Sequence, residues 1–129
     1  MSGKILLDTN VLIMALNNGL VLPQKNYIIS VITEIELLSF PKLSEKEDKI
    51  LRNFLKNFEI IYIDEKIKEK TISIRKNTFL KLPDSLIIAT AITKKATLVT
   101  ADKQILKYKN LVEMIDFNKV KIDNKKVLL

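Results

Sequence analysis

The sequence predicts an α/β domain in which helices cover both faces of a parallel sheet. Three observations carry this. Short apolar, β-branched runs alternate along the chain with segments whose apolar residues recur at helical spacing. Parallel neighbours need such crossovers, which are usually helical. The 129 residues are about one domain's worth and can bury a core without staples.

The elements follow in order. Lys4 to Leu7 is an apolar run ending at an acid, as a buried strand would. Val11 to Leu16 reads as a helix that Asn17-Asn18-Gly19 ends. Tyr27 to Ser30 is a second strand. It passes into a helix from Val31 to Phe40, stopped by Pro41. Ser44 and Glu47 form the pattern of a capping box. Behind them Ile50, Leu51, Phe54, Leu55 and Phe58 share a helical face. Ile60 to Ile63 is a third strand. Asp64 suits the cap of the next helix, with Ile67, Thr71 and Ile74 on one side. Pro83 fits the first turn of another helix. Leu86 to Ile92 is apolar nearly all round, so that helix should be central and buried. Ala96 to Thr100 is a fourth strand, Asp102 caps a short helix to about Lys109, and Leu111 to Ile115 is a fifth strand. One domain spans 1–129, with its core at about 4–116 and a basic C-terminal extension at 117–129.

Composition limits the chemistry. There is no Cys and no His. Disulfides, thiolate nucleophiles, imidazole bases and His or Cys metal sites are therefore excluded. Lys and Arg number 22 against 15 Asp and Glu, a net charge of +7. That surface suits a polyanion such as nucleic acid, and equally a solubilising lysine coat. No stretch approaches the ~20 apolar residues of a membrane span, so the cytoplasm is the expected location.

Open parallel sheets bind ligands at the carboxyl ends of their strands. Asp8 directly follows the first strand, and Asp102 lies just past the fourth. Asp84 falls in the first turn of the buried helix. Glu36 stands in an apolar helix, where a carboxylate needs a partner; Glu34, about 200° around that helix, cannot share its direction. Taken singly, Asp8 and Asp102 suit helix N-caps, and Asp84 complements a helix dipole. Gathered at one edge, four carboxylates would repel one another, and a divalent cation would relieve that conflict. Oxygen-only donors point to Mg²⁺ or Mn²⁺, and such an ion beside a basic surface suits phosphodiester hydrolysis.

Four blocks in order resemble the PIN-domain ribonucleases. They are Leu6-Leu7-Asp8-Thr9-Asn10-Val11-Leu12-Ile13, Ile29-Ser30-Val31-Ile32-Thr33-Glu34-Ile35-Glu36-Leu37-Leu38, Leu82-Pro83-Asp84-Ser85-Leu86-Ile87-Ile88-Ala89-Thr90-Ala91 and Leu98-Val99-Thr100-Ala101-Asp102-Lys103. Within the second block the resemblance picks Glu36, three after Thr33 and just before Leu37. The likeness is greatest to VapC-type toxins of toxin–antitoxin pairs and runs from Ile5 to about Ile115. It implies a three-layer α/β/α fold and a Mg²⁺- or Mn²⁺-dependent endoribonuclease. It also implies a homodimer and a small antitoxin partner that obstructs the acidic site. The family's carboxylates map to Asp8, Glu36, Asp84 and Asp102, with Asp8, Asp84 and Asp102 as metal ligands. Asn10 and Thr100 match positions that shape the site from behind. Arg75 looks family-like and could pair with an acid or contact phosphate. The family gives no role for Lys119 to Leu129, which reads as a loosely ordered terminus whose lysines could contact RNA.

The same residues admit other readings. A haloacid-dehalogenase-like phosphatase needs a second Asp where Asn10 stands. A phospho-receiver domain would use Asp64 as acceptor and Thr100 as switch. A PIN-like module could bind RNA without turnover, although a silent copy would be expected to lose an acid.

Overall fold

The computed structural model describes residues 3–129. The elements run β1 (Lys4–Leu7), α1 (Thr9–Asn18), β2 (Asn26–Ser30), α2 (Val31–Leu38), α3 (Glu45–Leu55), β3 (Glu59–Ile61), α4 (Glu65–Asn77), α5 (Leu82–Lys94), β4 (Thr97–Thr100), α6 (Lys103–Leu106), β5 (Met114–Asp116), β6 (Lys121–Asp123) and β7 (Lys126–Leu128). The first five strands form one parallel sheet in the order β3-β2-β1-β4-β5. From β1 the chain winds outward through β2 and β3, then crosses to the other side for β4 and β5. The switch in direction falls between β1 and β4, where open α/β sheets form a crevice at their carboxyl edge.

Side chains alternate across a strand, and here the alternation builds two cores. Leu6, Ile28 and Leu98 face Ile67 and Ile74 of α4 and Ile87 and Ile88 of α5. Leu7, Ile29 and Val99 face Val11 and Leu12 of α1, Leu37 of α2 and Leu51 and Leu55 of α3. Helices thus cover both faces, which makes the fold a three-layer α/β/α arrangement. Because both faces are covered, the central strands are apolar runs without alternation. In α5 every residue from Ser85 to Ala91 is buried, as its all-round apolar sequence requires.

Caps explain most of the helix starts. Asp8, Ser30, Asp64 and Asp102 each accept a hydrogen bond from a backbone N–H at the start of the following helix. Ser44 and Glu47 complete the capping box of α3. At the end of α1, Gly19 takes φ 60° and its N–H reaches the Ala15 carbonyl, a left-handed cap that suits glycine.

Several boundaries differ from the sequence expectation. Helix α1 begins at Thr9, because Asp8 caps it directly, and ends at Asn18. Helix α2 stops at Leu38 and not Phe40, since a residue before proline is pushed out of helical geometry. Phe58 lies beyond the end of α3 and meets Phe54 and Tyr27 edge-on, with ring centres 5.2 and 6.3 Å apart. Strand β3 ends at Ile61, which pairs with Ser30 at the end of β2; Tyr62 and Ile63 are exposed. Helix α6 stops at Leu106, and β5 starts only at Met114, opposite Leu98.

The largest correction concerns the C-terminal segment. It is not loosely ordered. After a 3-10 turn at Phe117–Lys119, β6 and β7 form an antiparallel hairpin. Its turn has Asn124 at φ 50° and Lys125 at φ 69°, the two positive angles that match the twist of a hairpin. Phe117 and Val127 are buried in the α1-side core. Val127 N–H donates to the Val21 carbonyl, and Val21 N–H to the Lys125 carbonyl, at 2.9 and 2.7 Å. None of the described helices is long and apolar enough to cross a membrane.

Candidate active site

The crevice at the switch in strand order holds a pocket of about 210 Å³. Asp8, Glu36, Asp84 and Asp102 all line it, with Thr9, Asn10, Ile13, Pro83 and Ile87. The sequence-predicted acids thus arrive from four elements: the ends of β1 and β4, the middle of α2 and the first turn of α5. A larger cavity of about 360 Å³ near Tyr27 and Phe58 contains none of them.

Asp8 is fixed on both oxygens. Thr9 N–H donates to Oδ1 at 2.8 Å, and the Thr100 hydroxyl donates to Oδ2 at 2.7 Å. Thr100 is itself fully buried and accepts from Asp102 N–H at 3.0 Å. Asp102 Oδ1 accepts from Gln104 N–H at 2.8 Å. Asn10 Oδ1 accepts from Ala101 N–H at 3.2 Å. Asn10 and Thr100 therefore tie the start of α1 to the loop that carries Asp102. The helix-cap reading of Asp8 and Asp102 also holds, since one oxygen of each does that work.

Glu36 is solvent-exposed, so burial does not demand a partner for it, but Thr9 supplies one. The Thr9 hydroxyl donates to Glu36 Oε1 at 2.6 Å. Thr9 Oγ1 also lies 3.0 Å from Thr33 Oγ1. A carboxylate only accepts, and each hydroxyl has one proton; Thr33 then donates to Thr9, and Thr9 to Glu36. Sequence reasoning missed Thr9 and Thr33 as site residues. Their signal was present: Thr33 is three before Glu36 and Thr9 directly follows Asp8.

Crowding perturbs two of the acids. Burial pushes the Asp8 carboxyl up from 3.8 to about 6, against the hydrogen bonds from Thr100 and Thr9, and the Asp84 and Asp102 charges add to the rise. Asp84 is also raised, by burial first and then by Asp102 and Glu36, with Lys81 opposing. Among the described residues, no three acids are drawn close enough to hold an ion between them. The donor set still suits a hard cation: it offers only oxygen, and repulsion among its members is what a positive charge would relieve.

Arg75 stands apart. It is exposed on α4 and outside the acidic pocket, and its Nη1 donates weakly, at 3.5 Å, to the Leu80 carbonyl. Among the described residues it makes no ion pair. Asp64, the acceptor a phospho-receiver would need, caps α4 through Ile67 N–H and lies outside the pocket. The strand order also differs from the 2-1-3-4-5 order of that fold. Asp116, at the carboxyl end of β5, was not picked out from the sequence; its side chain caps the 3-10 turn.

Residues 5–111 match the family model described as PIN domain. The chain belongs to the PIN-domain family. PIN domains are nucleases as a family, and the acidic pocket of this one lies within the matched span. Solved structures of similar fold agree. A toxin–antitoxin complex from Klebsiella pneumoniae matches at 30% identity and a TM-score of 0.69, over 84% of this chain and 94% of that one. VapBC2 from Rickettsia felis, bound to a DNA fragment from its promoter, matches at 26% identity and 0.72, over 87% and 97%. VapBC-1 from nontypeable Haemophilus influenzae, at 20% identity and 0.73 over 90% and 99%, shares the fold. No curated protein matches the chain.

Proposed function

We propose that this PIN domain is a Mg²⁺- or Mn²⁺-dependent endoribonuclease and the toxin of a toxin–antitoxin pair. The observation that carries the activity is the convergence of Asp8, Glu36, Asp84 and Asp102 on one pocket at the sheet's switch point. Asp8, Asp84 and Asp102 would hold the metal, directly or through water. When bound, it would lower the pKa of water and steady the phosphoryl oxygens.

The chain's own residues do the rest. Thr100 and Thr9 hold Asp8 in place, and Thr100 couples it to the Asp102 loop. Thr9 occupies Glu36 Oε1, which leaves the other oxygen to orient the attacking water and take its proton. Attack in line on phosphorus breaks the bond to the 3′ oxygen, which leaves with the bonding pair and takes a proton from solvent. The products carry a 5′-phosphate and a 3′-hydroxyl. The excess of 22 basic over 15 acidic residues draws the polyanion towards a pocket that would otherwise repel it.

The partner assignment rests on the neighbours named above as toxin–antitoxin complexes. A small protein that covers the acidic pocket would silence it. A homodimer is supported by the apolar ridge formed by α4, the start of α5 and the loop between them, where Phe79 is fully exposed and Ile72 and Leu82 are each about half exposed. The decisive test is cleavage of a mixed RNA pool with and without chelator, by wild type and by Asp8→Asn. Cleavage that persists in excess chelator, or that Asp8→Asn retains, would overturn the proposal. Light scattering should give twice 14.8 kDa for the free toxin; a monomer at micromolar concentration would count against the dimer.

A further inference from the structure

The hairpin β6–β7 lies beyond the residues that match the family, which end at 111. On its inward side Val127 closes the α1-side core, while Ile122, opposite it in the ladder, stays about half exposed. The outward side is not accounted for by packing. Residues 117–129 contain Lys119, Lys121, Lys125 and Lys126 against a single acid, Asp123. Lys119, Lys121, Lys125 and Lys126 are all exposed, and among the described residues none of the four makes an ion pair. Asp123, directly opposite Lys126 in the ladder, forms no ion pair with it and offsets at most one of the four charges.

The position of this charge is as informative as its amount. Asn118 Nδ2 donates to the Ala101 carbonyl at 2.9 Å, which fixes the root of the hairpin beside the loop of Asp102. At the other end, Val21 bridges to Lys126. Val21 lies just past the C-terminus of α1, whose N-terminus carries Asp8. The hairpin therefore runs beside the ten-residue α1, about 15 Å long, from the edge of the acidic pocket to the far end of that helix.

We propose that this hairpin is a strip for the phosphate backbone of single-stranded RNA, leading out from the acidic pocket. Packing requires only its apolar side, whereas four unpaired lysines are what a chain of phosphates recognises without regard to sequence. Lys119 lies nearest the pocket and Lys125 farthest. The strip rests on the nuclease reading for its purpose, and the test separates the two.

The test measures binding of a short, labelled single-stranded RNA to the full chain in the Asp8→Asn background, where the RNA stays uncut, over a salt series. One variant changes Lys119, Lys121, Lys125 and Lys126 to Gln. A control changes Lys46, Lys49, Lys66 and Lys70 on α3 and α4 to Gln, with the same loss of charge. The hairpin variant should bind at least about tenfold more weakly, and its salt slope should flatten by up to about 3, from about 0.7 per phosphate on a single strand. The control should move both much less. A double change at Lys119 and Lys121 should give about half the flattening, and it serves if the fourfold variant melts lower. Equal effects from hairpin and control, no effect from the hairpin variant, equal binding of duplex DNA, or no RNA binding at all would each overturn the strip. Wild-type cleavage of RNA with hairpin-independent binding sinks the strip alone; hairpin-dependent binding without cleavage sinks the nuclease reading alone.

Discussion

Replacing Asp8 with Asn should stabilise the metal-free protein. Asp8 is 6% exposed, and its carboxyl is pushed from 3.8 to about 6, chiefly by burial. The folded state therefore keeps a proton that the unfolded state has released between about pH 4 and pH 6. Stability falls as pH rises through that window and is flat above it. About two pKa units at about 1.36 kcal/mol each make the ionised side chain cost about 3 kcal/mol at neutral pH. The amide keeps an oxygen for Thr9 N–H, but its NH₂ leaves the Thr100 proton without its acceptor, a loss of about 1 kcal/mol. The net gain is about 2 kcal/mol, or roughly 5–8 °C in Tm for a domain of this size. Thermal melts in chelator from pH 4 to 7.5 should show the difference between variant and wild type opening between pH 4 and 6. Magnesium should then reverse the order, because an ion at about 100 times its Kd stabilises a folded binder by about 2.7 kcal/mol, and Asp8→Asn should lose much of that gain. A variant that keeps its circular dichroism yet melts no higher than wild type at pH 7.5 would refute the reasoning, as would a difference that does not change with pH.

Thr9→Val should leave the fold intact but lower kcat for RNA cleavage by roughly tenfold or more, of the order expected when a general base is misplaced; Thr9→Ser should restore most of it, and loss in both would mean that packing of the methyl group decides. Val127→Ala should cost about 1–2 kcal/mol and lower Tm by several degrees, with proteolysis moving to residues 117–129; an unchanged Tm would show that the hairpin is not part of the core. Gly19→Ala should cost about 1 kcal/mol, since a Cβ there meets nothing within 4 Å and the penalty comes only from φ 60°; denaturant melts with an unchanged m-value would read it out, and a neutral result would mean that the helix end relaxes.

The alternation of five strands with helices was legible because each step had a local cause. Apolar runs marked the strands, and Ser44, Asp64 and Pro83 marked helix starts with residues whose side chains or ring do that work. The misplaced ends had non-local causes. Strand β3 stops where β2 stops, and β5 starts where β4 offers Leu98 a partner; neither register is written in the segment itself. The hairpin was missed although Asp123-Asn124 sits between Ile122 and Val127. Its turn has Lys125 where glycine would be the clear signal, and its buried side chain acquires meaning only from the strand-like contact with Val21. Asp8, Asp84 and Asp102 were legible because strand ends and a helix first turn gather at one edge in any sheet of this kind, whereas Glu36, in the middle of α2, was singled out by the family resemblance. The hydroxyls that hold them were less so, since a threonine near an acid has many local partners.

The same topology explains why capping and chemistry meet in the same residues. A short loop after a central strand brings the next helix's N-terminus to the carboxyl edge, so the acid that ends β1 also begins α1. Helices α1 and α5 both direct their N-termini at the pocket, and partial positive charge there favours anions. That field lets Asp8, Asp84 and their neighbours stay close without any paired lysine or arginine inside the pocket, while burial first and the neighbouring acids after it still raise the Asp8 and Asp84 carboxyls. Capping by a carboxylate and capping by an amide are nearly equal in strength, so helix stability alone does not call for a second and third charge at this edge. The excess negative charge is the feature that packing and capping leave unexplained, and it is the feature that a metal-assisted attack on phosphate uses.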